Sequence, residues 1–534
     1  MASLGRASAI LGIGTLVSRL SGLLRILVLA AALGSVQASA ADAFAIANQL
    51  PNNIYAIIST GLLTGVILPQ IVKAAAHADG GSAFVSKLLT LGTVALLAIT
   101  AIAVVLAPAI TMLYGSRLDA DTFALTVAFA YWCLPQVLFY GLYALFGEVL
   151  NARRVFGPYT WAPVVNNLVS IVGFVAFIVM FGTHSSAIGW TPGMIALMGA
   201  TATLGIVAQA LVLLLFWRRV GLRVRPDFHW RGMGLRQIGR LAGWTFLMVV
   251  VGQIAGAIQT TIVGAASGSA ASAATMSYAW FVFILPYSVI AYSIGTPYFT
   301  QLSEHAAAGR HAAVLTDLAT SIRVIGVFMV GALAGVAAAA VPISRVLTKN
   351  PDQAVQFAWV LGAYLVGLVP LAVLFVVQRA FYAYHDTFRP FLFTLAQAVL
   401  VVATTLAAFW LLDAQWLAAG IALGQSLAGI AQLAIALVLL RRKLGPLGMR
   451  PVGGAVVRFF VAGVPAFAAG WGVFLLGGGT GGWMTADPVL SIVAGGVVGL
   501  VALIVYVLFL ALLRAPELDV ARRAVRRFVP GRRG

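Results

Sequence analysis

Charge is scarce in this chain, and acid is scarcer than base. Asp and Glu together number 14 in 534 residues, against 33 Lys and Arg, and charged residues make up 9% of the whole. So little acid, nearly all of it between apolar runs, argues against carboxylate-based proton coupling inside a membrane. Cysteine is almost missing: Cys133 is the single one and permits no internal disulfide. The six histidines (His77, His184, His229, His305, His311, His385) fall in connections, and no paired His/carboxylate pattern suggests a metal site. No Walker lysine follows a glycine-rich loop, which excludes ATP bound by this chain as the energy source. Gly477, Gly479 and Gly482 match G-x-G-x-x-G, but no strand or helix amino terminus is expected there, so the nucleotide reading fails.

What the chain has in place of charge is apolar length. Residues of the apolar class make up 62%, and the sequence resolves into about fourteen stretches long enough to cross a bilayer, each needing about 20 residues. They run from 7–34 and 42–73 through 454–477 and 488–513. The connections alternate between basic and nearly uncharged. Arg6, Lys73, Lys87, Arg153, Arg154, the arginine-rich segment 218–240, Arg310, Arg389, Arg441, Arg442, Lys443 and the tail Arg522, Arg523, Arg526, Arg527 fall on one side; Arg117, Arg345 and Lys349 fall on the other. By the positive-inside rule both termini are expected in the cytoplasm. A net charge of +19 in short loops beside spans fits anionic membrane lipid, not nucleic acid. The first stretch is too long, and with Arg19 and Arg25 too charged, to be a cleavable signal ending at Ala38-Ser39-Ala40.

An internal repeat underlies this topology. Leu50-Pro51 and Leu285-Pro286 are separated by the same interval as Pro135 and Pro370, and Pro108 and Pro342 are one residue short of it. Six spans per half is an even number, so the halves are expected to be parallel repeats about an axis along the membrane normal. The expected fold is an all-α polytopic membrane protein with about 14 transmembrane helices, two six-helix lobes and an appended two-helix hairpin. Its expected parts are 1–217, a basic cytoplasmic linker 218–240, 241–443, the hairpin segment 444–513 and a basic tail 514–534. Prolines inside spans free backbone carbonyls and let helices bend, which suits rocking of one half against the other as much as static kinks in a bundle.

Arg19 and Arg25 lie within the first span, where each costs about 2.5–3.5 kcal/mol on the insertion scale unless water, a partner or a ligand receives it. Thr15, Ser18, Arg19, Gly22 and Arg25 share one helix face, an arc of roughly 120°, so that face is expected to look into a polar cavity. In span two, Asn48, Asn52, Tyr55 and Ser59 recur at helical spacing with Gln49 beside them. Such uncharged groups suit sugar and peptide hydroxyls and amides, or equally hydrogen bonds between neighbouring helices. Asn166, Asn167, Gln253, Gln259 and Thr260 extend the polar theme. Asp42, at the mouth of span two, is placed to neutralise Arg25 or to bind a coupling cation. Glu148 is expected to pair with Arg153 or Arg154, and Arg379 to snorkel at the inner end of span ten.

Ser18-Arg19-x-x-Gly22-x-x-Arg25, then Ala41-Asp42-Ala43-Phe44 and Leu50-Pro51-Asn52, resembles the opening of the MurJ/MviN-type lipid II flippases. Ser277-Tyr278-Ala279-Trp280 with Leu285-Pro286-Tyr287 resembles span eight of their actinobacterial members. The resemblance implies alternating access by two lobes around a cationic central cavity that accepts the pyrophosphate-sugar head of lipid II, with the hairpin forming a groove for the polyprenyl tail. It assigns substrate binding to Arg19 and Arg25, and matches Asp42 to the acidic residue of the family's D-A-F block. Ser18, Asn48, Asn52 and Tyr55 join them as candidate substrate-binding residues. The departures are Tyr55, Ala56 and Thr60 where better-known members carry arginines and a glutamate, Trp280, Phe281 and Ile284 where they carry arginine and glutamate, and Ile26 for a common aspartate. This cavity is therefore expected to be less charged and more aromatic.

The expected activity is transport, not catalysis. No cofactor is expected, and the driving force is an ion gradient or the membrane potential. The expected partners are the lipid-linked precursor, anionic lipids and a cytoplasmic cell-wall synthesis protein at the basic tail, at the plasma membrane of a bacterium. Competing readings are a flippase for another polyprenyl-linked oligosaccharide, a cation-coupled drug exporter, which would favour intramembrane acids, and a scaffold or membrane-embedded enzyme.

Overall fold

A computed structural model describes residues 2–62, 79, 81–153, 155, 157–219, 221–222, 224–229 and 235–518. Lys73, Arg154, Arg223 and Arg231, and the tail arginines Arg522, Arg523, Arg526 and Arg527, lie outside the described residues. Within them every regular element is helical: α1 (Ala2–Ala32), α2 (Ser39–Leu62), α3 (Ser82–Val105), α4 (Ala107–Gly115), α5 (Ala120–Cys133), α6 (Gln136–Ala152), α7 (Gly157–Phe181), α8 (Pro192–Leu211), α9 (Leu235–Val263), α10 (Ala273–Ala307), α11 (His311–Ala338), α12 (Ala340–Arg345), α13 (Pro351–Leu365), α14 (Leu368–Ala383), α15 (Phe388–Leu411), α16 (Ala414–Leu444), α17 (Arg450–Leu476) and α18 (Pro488–Leu512), with short 3-10 turns between some of them. Among the described residues, 12 helices or broken helix pairs are long and apolar enough to cross a membrane. The two opening helices, α1 and α2, stand outside that set, and they carry Arg19, Arg25, Asp42 and the asparagine stripe.

The scarce acids cap helices. Asp119 accepts from the Thr122 backbone N–H at 2.9 Å to start α5, and Asp487 accepts from Val489 and Leu490 to start α18. A side-chain oxygen at this position satisfies one of the amide donors a helix leaves open. The glycines of the G-x-G-x-x-G match form the turns between α17 and α18, with left-handed backbone at Gly478 and Gly479.

The chain divides into two compact units, Met1–Ala274 and Thr275–Gly534. The first breaks its helices at Leu106, ahead of Pro108, and at Leu134-Pro135. The second breaks at Ala339, ahead of Pro342, and at Val366-Gly367, ahead of Pro370. The repeated prolines thus mark repeated interruptions, since a proline cannot donate to the carbonyl one turn back. Pro51 and Pro286 instead sit inside continuous helices. The boundary between units lies later than the basic segment 218–240. Helix α9 packs against α2 and α4, and Thr261 donates to the Leu113 carbonyl at 2.6 Å, which joins that span to the first unit. Helices α17 and α18 pack on α11, and Tyr506 donates to the Val327 carbonyl at 2.7 Å, so the appended hairpin belongs to the second unit.

One polar clamp holds the turn between α14 and α15. Asp386 accepts from Lys443 Nζ at 2.6 Å, from the Arg389 backbone N–H at 3.1 Å and from the Arg389 guanidinium. Partial burial pushes its carboxyl up, but these donors outweigh it and hold it below the ordinary carboxylate value. A carboxyl depressed by folding contributes stability that is fully present above its unfolded pKa of about 3.9. That stability is lost as pH falls through the lower folded value. Asp386→Asn is therefore expected to lower the thermal midpoint of the detergent-solubilised chain at pH 7. The gap from wild type should close below about pH 4, as a melting series from pH 3 to 7 would read.

Candidate functional site

The first unit assembles two polar walls, one of α1 on α7 and one of α2 on α6. Helix α1 lies along α7, with Gly22, Ile26 and Leu29 on its buried side. Asn167 of α7 donates to the Ser18 carbonyl at 3.1 Å and to Ser21 Oγ at 2.9 Å, and this bond sets the rotation of α1. Gly34 ends α1 in left-handed backbone (φ 76°), and a methyl there would stand 3.1 Å from Thr183 and Ser185. Behind α7, a Cβ on Gly205 would lie 2.3 Å from Asn166 Oδ1, so α8 approaches close enough to hold α7 against α1. Asn166 and Asn167 are thus packing groups.

Arg19 and Arg25 are half-buried on α1. Neither has a hydrogen bond or a carboxylate partner among the described residues; the only ion pairs found there join other groups. The Arg25 guanidinium lies within electrostatic reach of Tyr140 on α6. The Tyr140 ring stacks on Tyr55 of α2 at 5.6 Å between centroids. Beyond it, Tyr143 stacks on Tyr159 at 4.8 Å and donates to the Tyr159 carbonyl at 2.9 Å, and Glu148 lies within electrostatic reach of Tyr55 and Tyr159. Tyr140 and Tyr55 thus form a stacked pair within the field of Arg25. Together they offer a cation and phenolic hydroxyls to an anionic group carrying further hydroxyls.

Span two splits its stripe between two jobs. Asn48 accepts from Gln136 Nε2 at 3.2 Å, and the same Gln136 nitrogen reaches Thr203 at 3.2 Å, so Asn48 ties α2 to α6 and α8. Asn52 is exposed. Tyr140 and Gln136 were missed in the sequence, although Gln136, Tyr140 and Tyr143 recur at helical spacing just after the Pro135 break.

Asp42 is fully buried and does not turn toward Arg25. Its Oδ2 accepts from Ser267 Oγ at 2.6 Å and its Oδ1 from the Ala274 backbone N–H at 2.8 Å, while Ser272 nearby donates to the Val263 carbonyl at 3.3 Å. The carboxylate thus sits at the amino terminus of α10, a place where a helix dipole favours negative charge. Its oxygens are occupied, and no ion pair with Arg25 forms among the described residues.

Two arginines of the second unit rest on specific partners. The Arg379 guanidinium carbon lies 4.9 Å from the ring centroids of both Phe299 and Phe375. Arg345, expected in an outer connection, is buried and donates to the carbonyls of Thr485 at 2.9 Å, Thr348 at 2.6 Å and Ala486 at 3.3 Å. It fastens the turn between α17 and α18 to α12. Histidines sit at helix ends as well as in connections: His305, in the last turn of α10, bonds Asp317 at 2.7 Å, and His311 opens α11 beside Tyr384 at 2.7 Å. No group of three or more His, Cys, Asp or Glu placed to hold a metal occurs among the described residues.

These features define a polytopic helical membrane protein of the transporter type. In fold the chain is similar to a lipid II flippase MurJ in an inward closed conformation, at a TM-score of 0.72 and 18% identity over 95% of this chain and 98% of that one. It is also similar to an inward-facing multidrug resistance MATE family transporter of the MOP superfamily, at a TM-score of 0.65 and 15% identity over 81% and 96%. The family profile described as lipid II flippase MurJ matches residues 29–494, and the chain belongs to that family. Among its relatives are the probable lipid II flippases MurJ of Rhizobium meliloti (strain 1021), 26% identical over 80% of this chain and 78% of the relative, and of Rickettsia prowazekii (strain Madrid E), 23% identical over 74% and 77%.

Proposed function

We propose that this chain carries lipid II from the inner to the outer leaflet of the bacterial plasma membrane, by alternating access of its two repeated halves. The observation that carries the reading is the pair of half-buried guanidiniums on α1, without ion-pair partners among the described residues, in a member of the MurJ family. A diphosphate supplies the oxygens that Arg19 and Arg25 lack, in a bidentate geometry that suits guanidinium. Ser18 beside Arg19, and Asn52 and Tyr55 on α2, serve the sugar and peptide part of the headgroup, while Asn48 orients α2. The polyprenyl tail stays in lipid. Asp42 positions the start of α10 and is not the coupling group. Coupling falls to an ion gradient or to the membrane potential, which is worth about 2.3 kcal/mol per charge per 100 mV. Both termini face the cytoplasm, and the basic tail meets anionic lipid or a cell-wall synthesis partner.

Depletion of the chain in its host tests this. Lipid II at the outer surface, measured by access to an external lipid II-cleaving or lipid II-binding probe, is expected to fall and to return with the wild-type chain. Unchanged exposure on depletion, in a host without a second flippase, would overturn the reading.

A further inference from the structure

The second unit contains a cavity that the walls of the first unit do not explain. On one side stand Trp280 and Phe283 of α10 and Tyr364 of α13, with ring centroids 4.9–5.8 Å apart. Facing them are the carboxamides of Gln397 on α15 and of Gln425 and Gln432 on α16. Among the described residues no acidic, basic or histidine side chain lines it. Gln432 donates to Thr394 at 3.3 Å. Gln397 and Gln425 make no hydrogen bond among the described residues and are only partly buried, so their amides open onto the cavity. A ligand with hydroxyl or acylamino groups can bond both amides in place of water.

The lining selects the ligand. A charged group would enter without a counter-charge, which low-dielectric surroundings penalise heavily. An acyl chain would leave the amides unpaired. A ring with an apolar C–H face and hydroxyl or acylamino substituents satisfies both walls, because a carboxamide donates and accepts at once. The cavity measures about 70 Å³, on a scale where one water takes roughly 10–15 Å³ and stands for about 30 Å³ of liquid. It thus holds about five to seven waters, or the bulk of one six-membered sugar ring.

We propose that this cavity is a carbohydrate subsite of the second unit, taking one uncharged pyranose ring that bears hydroxyl or N-acyl groups. Only the source of that ring, the sugar of a lipid-linked precursor, rests on the flippase reading. The test uses the full chain in lipid nanodiscs with N-acetylglucosamine as the probe, read by saturation-transfer NMR. A saturable signal is expected for the wild type. It should fall at least fivefold in Gln397→Met and in Gln425→Met, which keep side-chain volume, and in Trp280→Leu. Glucosamine, with a charged amine, is expected to give a weaker signal. No saturable wild-type signal, or an undiminished one in both methionine variants, would overturn the subsite. If sugar binding fails while lipid II exposure still depends on the chain, the subsite alone falls. If the sugar binds and depletion leaves exposure normal, the flippase reading alone falls.

Discussion

Arg25→Ala is expected to lower rescue of outward lipid II exposure at least about 30-fold in a depleted host, while the variant still reaches the membrane and melts within a few degrees of wild type. Losing one partner of a desolvated, hydrogen-bonded charge pair costs about 2–5 kcal/mol, and each 1.4 kcal/mol is about tenfold. The folded state itself loses little. Arg25 is half-buried and has no carboxylate or hydrogen-bond partner among the described residues, so its removal strands no acceptor there. Arg19→Ala is expected to behave alike. Arg25→Lys should recover part of the rescue, because a lysine keeps the charge but not the planar fork. Full rescue by both alanine variants would remove the anion-binding role from α1. A collapse in melting temperature would instead make these arginines structural.

Much of the architecture was legible because it rests on periodicities that the bilayer imposes. Apolar length and the alternation of basic connections are local properties, and the prolines repeat at one spacing. Pro135 and Pro370 do lie at helix interruptions in their own units. What was not legible is which partner each polar group finds. Asn48 and Asn52 share a stripe in sequence, yet Asn48 meets Gln136 while Asn52 is exposed and meets no hydrogen-bond partner among the described residues. Nothing local separates them, since Gln136 lies 88 residues away. The same distance problem hid Tyr140 beside Arg25 and Gln397 beside Gln425. The place of α9 was hidden for another reason. The basic segment 218–240 looks like a boundary by composition, but packing against α2 and α4 carries the next span into the first unit.

Asp42→Ala is expected to be the most destabilising single change in the first unit, costing about 3–5 kcal/mol. The carboxylate is fully buried and receives Ser267 at 2.6 Å and the Ala274 N–H at 2.8 Å. Alanine strands both donors at once, and a buried donor without a partner costs about 1–3 kcal/mol. It also removes the negative charge from the amino terminus of α10, worth a further 0.3–1 kcal/mol or about that in exposed helices and more when buried. Asp42→Asn keeps one acceptor oxygen but turns an amide N–H toward a donor, so its cost should be about half as great. Thermal melting of the purified chain in detergent would rank the three proteins wild type, Asn, Ala. A coupling role for Asp42 predicts the reverse pattern, in which both variants melt like wild type and lose transport together. Because Ser267 and Ala274 lie in the connection that leads from α9 into α10, the structural reading makes a second demand. Ser267→Ala, which removes one donor and leaves the carboxylate in place, should cost only about 1–2 kcal/mol and leave lipid II exposure intact. Loss of transport in that variant at unchanged stability would return Asp42 and its hydroxyl partner to the translocation machinery.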